Sequence, residues 1–234
     1  MATDTKVYLI PGLGADARMY EPQVRILERY EVLEHQKPLK GETLRAYAKR
    51  LTEKIDTSEP FILIGTSLGG ILSMEISRIL QPEKVILISS VKHRAELPLW
   101  MRVMKYLRLH KLLSGKRFIE FSKSNIRLLI TRRDTRVAKL LMDMHEDADP
   151  DFVEWAINEV VNWDGSADHR ADIIHIHGTK DRLFPFANVK NAIAITGGSH
   201  VMGCTQPGDV NEAILKALRS CQEKISFSWL WSFT

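Results

Sequence analysis

The sequence predicts an α/β protein with a doubly wound, mostly parallel sheet and a helical insertion. The apolar runs at Lys6–Ile10, Phe61–Ile64 and Lys84–Ser90 lack the alternation of half-exposed strands, as is typical of parallel strands buried on both faces. Helical patterns separate these runs, which favours right-handed crossovers and helices on both faces of the sheet. No strand pattern occurs between Val91 and Ser166.

The remaining elements complete this plan. Residues 1–90 and 167–234 are predicted to form the core, and residues 91–166 a helical insertion that covers the ligand crevice as a lid. Alternating serines and large apolar residues predict a strand in the tail Ile225–Phe233. Further strands are expected at Tyr30–Glu34, Asp172–Gly178 and Asn191–Ile195, and helices at Ala15–Leu27, Thr43–Ile55, Phe186–Lys190 and Asp209–Leu218.

Composition indicates an ordinary soluble globular chain of one domain. Of 234 residues, 44% are apolar and 26% charged, and no apolar run is long enough to span a bilayer. The first residues lead directly into a strand pattern, so no secretory signal is expected. Cys204 and Cys221 are the two cysteines, which suits free thiols in a reducing compartment. The expected location is the cytoplasm.

The stretch Phe61–Gly70 contains the pattern Gly-x-Ser-x-Gly. Apolar residues precede Gly65 and a helical pattern follows Gly69, so Ser67 is predicted at a sharp turn from a buried strand into a helix. Such a turn exposes the hydroxyl, and the N–H of Leu68 points to where negative charge develops on an attacked carbonyl. Ser67 is therefore a candidate nucleophile. The alternative is a glycine-rich turn with an incidental serine.

A serine nucleophile needs a base, and the base needs an acceptor that fixes its tautomer. Asp181 follows the predicted strand that ends at Gly178, and His200 follows the last predicted strand. Because the carboxyl ends of parallel strands meet at one edge of the sheet, both side chains are expected near Ser67. The predicted catalytic residues are Ser67 as nucleophile, His200 as proton shuttle and Asp181 as orienting acid.

On these residues the chain resembles the α/β-hydrolase superfamily, over nearly all of Lys6 to Leu218. The family's nucleophile elbow, acid loop and histidine loop correspond to Gly65–Gly69, His177–Asp181 and Gly198–His200. The resemblance implies an α/β-hydrolase fold with a shortened N-terminus and roughly six strands. A serine at position 67 disfavours the branches that use an aspartate nucleophile, the dehalogenases and epoxide hydrolases.

The resemblance also implies that Pro11–Gly14 is the oxyanion loop. The N–H of Leu13 would then be the second oxyanion donor beside that of Leu68. Many family members have His-Gly where this chain has Pro11-Gly12, so other hydrogen bonds must hold the loop here.

Substrate contacts are predicted at Gly12, Gly14, Trp100 and Met104. No cofactor is expected. No metal site is expected either, because His175 and His177 flank a strand residue with no third ligand at a suitable spacing, and they are predicted to be structural.

The formal net charge of +4 is concentrated in the insertion. Between residues 92 and 139, fourteen lysines and arginines face three acidic residues. Residues such as Arg102, Lys105 and Arg108 form either a solvated surface or a field that steers an anionic substrate. Contact with a membrane surface is less favoured, and nucleic acid is not an expected partner because no recognised binding motif accompanies the charge. The oligomeric state stays open.

Three functions are compatible with this pattern. The favoured one is a serine hydrolase that cleaves an ester or thioester of a small, partly apolar acyl compound through an acyl-enzyme. The second is a lyase or C–C bond hydrolase of the same fold that acts on an anionic substrate. The third is a non-catalytic protein that binds a small ligand beneath the lid.

Overall fold

The computed structural model describes residues 4–107, 114–125, 134–165 and 171–230, with residues 220–230 as backbone only. Within these residues one sheet contains six strands in the order β2-β1-β3-β4-β5-β6, and every neighbouring pair is parallel. The predicted doubly wound parallel sheet is therefore confirmed. The strands are β1 (Lys6–Ile10), β2 (Tyr30–Val32), β3 (Phe61–Thr66), β4 (Lys84–Ile88), β5 (Asp172–Gly178) and β6 (Ile193–Ile195).

Helices connect the strands. Before β4 lie α1 (Glu21–Val24), α2 (Leu44–Thr52) and α3 (Leu68–Ser77). Between β4 and β5 lie α4 (Leu99–Leu107), α5 (Gly115–Ser124), α6 (Thr135–Asp147) and α7 (Pro150–Asn162). After β6 follow α8 (Met202–Thr205) and α9 (Pro207–Leu230). The described part of the predicted insertion 91–166 thus contains helices and no strand.

Both faces of the sheet are buried. Tyr8 and Ile10 of β1 pack with α2 and α3 on one face, whereas Val7 and Leu9 pack with α9 on the other. This alternation explains the continuous apolar run of β1, since successive side chains point to opposite faces. Among the described residues, no helix combines the length and apolar character needed to cross a bilayer.

Four predicted elements differ in the structure. The segment Ala15–Leu27 forms a 3₁₀ helix at Ala17–Tyr20 and only the short α1, which has Pro22 in its first turn. The segment near Phe186 is a 3₁₀ turn, Phe186–Asn188, that follows Pro185. The edge strands β2 and β6 are three residues each, shorter than predicted.

The prediction of a strand in the C-terminal tail was wrong. Residues up to Leu230 continue α9 instead. An alternating pattern makes a strand only where a neighbouring strand accepts and donates the ladder hydrogen bonds, and here the backbone follows the helix that precedes it. Residues 231–234 and the side chain of Cys221 lie outside the described part of the chain.

Candidate active site

The turn from β3 into α3 places Ser67 in a strained conformation. Its backbone angles are φ 53° and ψ −116°, a region that side-chain-bearing residues rarely adopt. The Ser67 N–H donates to the carbonyl of Ile88 at 3.0 Å, and the Ser90 hydroxyl donates to the Ser67 carbonyl at 2.7 Å. A side chain at Gly69 would overlap the Ile10 carbonyl oxygen, so only glycine allows α3 to pass this close to β1.

Ser67, His200 and Asp181 form a continuous chain of hydrogen bonds. The Oγ atom of Ser67 lies 3.0 Å from Nε2 of His200, and Nδ1 of His200 lies 2.8 Å from Oδ2 of Asp181. Because a carboxylate only accepts hydrogen bonds, Nδ1 of His200 carries the proton and Nε2 faces the hydroxyl as an acceptor. The structure thus brings the three predicted catalytic side chains together, in the tautomer that a serine nucleophile needs.

Asp181 is held ionised. Its side chain is buried, and Oδ1 accepts hydrogen bonds from the N–H groups of Leu183 and Phe184 at 2.8 and 2.9 Å. Burial alone would raise the pKa of Asp181, but the charge and hydrogen bond of His200, with His177 and the backbone donor of Phe184, outweigh it and lower the pKa. The carboxylate can therefore stabilise a positive charge on His200.

His175 and His177 lie behind the acid loop. Nδ1 of His177 is 3.1 Å from Nε2 of His175, and Nε2 of His177 is 2.8 Å from the Phe184 carbonyl oxygen and 3.4 Å from Oδ2 of Asp181. Burial lowers the pKa of both histidines, and that of His175 to about 3. They are therefore neutral at pH 7 and support Asp181. No group of three or more His, Cys, Asp or Glu side chains suited to a metal ion occurs in the described residues.

The predicted oxyanion loop, Pro11–Gly14, lies beside the Ser67 turn. In the described part of the chain, no acceptor takes the N–H of Leu13 or of Leu68, and both residues border the space above Ser67. The loop is held by His35, whose Nε2 lies 3.1 Å from the Gly12 carbonyl oxygen, and by a contact from the Gly12 N–H to the sulfur of Met19. His35 thus supplies hydrogen bonding that Pro11 cannot.

Comparison with solved structures identifies the fold. A thermophilic esterase from Thermogutta terrifontis has a TM-score of 0.69 at 18% identity, covering 94% of this chain and 92% of that one. A hydrolase from Oleispira antarctica has a TM-score of 0.70 at 14% identity, covering 93% and 92%. The enol-lactonase from Burkholderia xenovorans has a TM-score of 0.65 at 15% identity, covering 92% and 91%.

The chain has the α/β-hydrolase fold. No protein-family model matches the sequence, and no curated protein matches it. The likeness is therefore one of three-dimensional structure.

Two adjoining cavities meet at Ser67, beside helices that lie between β4 and β5. The small cavity, of about 130 Å³, is almost wholly apolar and is lined by residues such as Leu68, Ile71 and Met104. The large cavity, of about 380 Å³, also reaches His200 and contains the polar side chains of Asn125, His145 and Arg182. A substrate bound at Ser67 could therefore place chemically different halves in the two cavities.

Three of the four predicted substrate contacts line these cavities. Trp100 borders both, Met104 the small one and Gly12 the large one. Gly14 instead lines a separate cavity of about 240 Å³, together with residues such as His35 and Phe152.

Sequence reasoning missed three polar residues near the site. His35 lies in the segment after β2, His145 lies on α6, and Arg182 directly follows Asp181. None belongs to a motif. One sequence feature pointed to a residue such as His35. Pro11 stands where many members of this fold have histidine, so a different residue was expected to form the hydrogen bonds that hold the loop.

Arg102 and Lys105, two of the basic residues for which steering was one of the two interpretations, do not line the cavities at Ser67. Arg102 lines a different cavity with Leu99 and Tyr106, and Nζ of Lys105 lies 3.4 Å from the Asn162 carbonyl oxygen. Arg108 lies outside the described residues. Arg182 is the arginine that borders the large cavity, and in the described residues no carboxylate pairs with it.

Proposed function

We propose that this protein is a serine hydrolase that cleaves an ester or thioester of a small, partly apolar acyl compound. The observation that carries the proposal is the hydrogen-bonded chain from Ser67 through His200 to Asp181, on a serine whose backbone is strained. A protein that only binds a ligand gains nothing from such strain, and this argues against the non-catalytic alternative.

The geometry supports a two-step mechanism. Nε2 of His200 takes the proton of Ser67 as Oγ attacks the substrate carbonyl, and the buried Asp181 carboxylate stabilises the imidazolium that results. The N–H groups of Leu13 and Leu68 donate to the developing oxyanion. His200 then gives the proton to the leaving group, and an acyl-enzyme forms on Ser67. Water, activated by the same histidine, hydrolyses the acyl-enzyme.

Structural neighbours and the fold add support. Solved structures with this fold include an esterase and an enol-lactonase. Trp100 and Met104 of α4 and Phe118 of α5 line the small cavity, and we propose that residues 91–166 form a lid over the site.

Covalent labelling tests this function. A fluorophosphonate probe should add to Ser67 of the wild-type protein, as seen by intact mass and peptide mapping, and should not label Ser67→Ala. Hydrolysis of short p-nitrophenyl esters should disappear in the same variant. A folded wild-type protein that neither accepts the probe nor hydrolyses any ester would rule the proposal out.

A second function is favoured by one feature, the guanidinium of Arg182 at the large cavity, which no carboxylate of the described residues pairs with. A cation there suits a lyase or C–C bond hydrolase whose substrate bears a carboxylate. Neutral p-nitrophenyl esters that are turned over far better than anionic substrates would exclude this alternative.

A further inference from the structure

His145 of α6 is a buried polar side chain in the wall of the large cavity. It is 6% exposed. Its Nδ1 atom lies 2.8 Å from the carbonyl oxygen of Leu141, one turn earlier in the helix. Because a carbonyl oxygen can only accept, Nδ1 carries the ring proton.

The other ring nitrogen, Nε2, is therefore a hydrogen-bond acceptor. Burial lowers the pKa of His145, and the charge of Lys123 lowers it further, so the ring stays neutral at pH 7. No described residue donates to Nε2. A Cβ atom at Gly14 would lie 3.2 Å from this nitrogen, so the glycine avoids a tight contact with it.

The rest of this wall is largely apolar. Met19, Phe118, Leu141 and Val201 line the same cavity as His145. A buried acceptor in such surroundings is costly when it has no donor, because substrate that fills the cavity removes the solvent which would otherwise satisfy it. A substrate that brings its own donor avoids this cost, and one that brings only methyl groups does not.

We propose that Nε2 of His145 accepts a hydrogen bond from a hydroxyl or amide N–H of the substrate, which makes the enzyme selective for small esters that carry such a donor. This inference rests on the proposed hydrolase function, because it concerns the substrate bound at Ser67. His145 would be a specificity-determining residue and takes no part in the proton transfers of the reaction.

Matched pairs of esters test the inference. Phenyl 3-hydroxybutyrate and phenyl 3-methylbutyrate exchange a hydroxyl for a methyl in the acyl half. The monobutyrate of ethylene glycol and propyl butyrate likewise differ by a hydroxyl in place of a methyl, here in the alcohol half. The wild-type protein should show a higher kcat/KM for the hydroxylated member of at least one pair, by roughly 5- to 100-fold.

Two variants assign that preference to His145. His145→Leu removes the acceptor and should bring the ratio of the two kcat/KM values to about one. His145→Gln offers a side-chain oxygen in place of Nε2 and should retain much of the preference. Thermal unfolding of each variant checks that the fold is intact.

The possible results distinguish a failure of the His145 inference from a failure of the proposed hydrolase function. Hydrolysis of all four esters with the same ratios in wild type and His145→Leu would overturn the role of His145 and leave the hydrolase intact. Absence of both ester hydrolysis and fluorophosphonate labelling in the wild type would overturn the hydrolase function and the inference together.

Discussion

Nε2 of His35 lies 3.1 Å from the carbonyl oxygen of Gly12, and this contact joins the segment after β2 to the predicted oxyanion loop. The His35 ring also stacks on Phe152 of α7, with centroids 4.4 Å apart. Burial lowers the pKa of His35 to about 4, so the ring is neutral at pH 7 and Nε2 carries the proton that it donates to Gly12. One side chain thus fixes the loop that presents the Leu13 N–H.

Replacing His35 should slow the chemical step. His35→Phe keeps an aromatic ring against Phe152 but lacks the donor to Gly12, so the Leu13 N–H loses its alignment. We expect kcat to fall about tenfold to a hundredfold with KM nearly unchanged, since an oxyanion donor acts mainly in the transition state. His35→Gln, whose amide can donate at the same place, should recover part of kcat. Equal loss in both variants would contradict this role.

The backbone strain at Ser67 should lower the free energy of unfolding by a measurable amount. Ser67→Gly relieves the unfavourable φ of 53°, whereas Ser67→Ala removes the same hydroxyl and keeps the strain. Denaturant unfolding should give Ser67→Gly a free energy of unfolding roughly 1 kcal/mol above that of Ser67→Ala, after the entropic cost of glycine is subtracted from the strain. Both variants should be inactive. A glycine variant less stable than the alanine variant would show that the turn is relaxed.

Acid should destabilise the protein through its neutral buried histidines. Burial lowers the pKa of His175 from its usual 6.5 to about 3. The unfolded chain therefore takes up a proton as the pH falls below about 6.5, while the folded chain does not until the pH nears 3. The stabilisation that this difference provides is fully present above pH 6.5 and is lost as the pH falls from 6.5 towards 3. At pH 4 the loss in the free energy of unfolding is on the order of 3 kcal/mol.

A comparison of variants isolates this contribution. His175→Gln should show a smaller fall in unfolding free energy between pH 7 and pH 4 than the wild type. Ile176→Val creates a small cavity at the next residue of β5 and should lower the free energy of unfolding by about 1 kcal/mol at every pH. It should leave the dependence of that free energy on pH unchanged. If His175→Gln keeps the wild-type slope, the histidine is already charged in the folded protein at pH 4.

Arg182, and not the charge on α4, should carry any preference for anionic substrates. Arg182→Gln should lower kcat/KM for a carboxylate-bearing ester about tenfold and leave a neutral ester nearly unchanged. Lys105→Gln is the matched control, since Lys105 borders neither cavity at Ser67. The effect should fade as the Debye length falls from about 10 Å at 0.1 M salt to about 3 Å at 1 M. Equal salt dependence for both esters would remove Arg182 from substrate recognition.

Much of the site could be predicted because its signals are local. Glycines on both sides of Ser67, and the loops that carry Asp181 and His200 after strand patterns, depend on backbone constraints written within a few residues. The parallel sheet could be predicted for the same reason, since continuous apolar runs require burial on both faces.

The features that were missed depend on contacts between distant segments. His35 reaches Gly12 across 23 residues, and His145 enters the large cavity only because α6 packs over the oxyanion loop. The extent of β6 is decided by its pairing with β5, over three residue pairs, and not by its own apolar pattern. In the C-terminal tail the local pattern was misleading. Its alternation of serines and large apolar residues predicted a strand, but the described part of the tail continues α9.

The separation of the site along the chain has a consequence for biosynthesis. Ser67 and His200 are 133 residues apart, and β4 pairs with β5 only after the helices between them have been made. Pairing of parallel strands so distant in sequence is slow. During synthesis the N-terminal strands and the serine turn leave the ribosome long before the base exists. A nascent chain that has not yet reached His200 therefore holds the serine without its histidine, and the proposed hydrolase activity cannot begin before that residue has been translated.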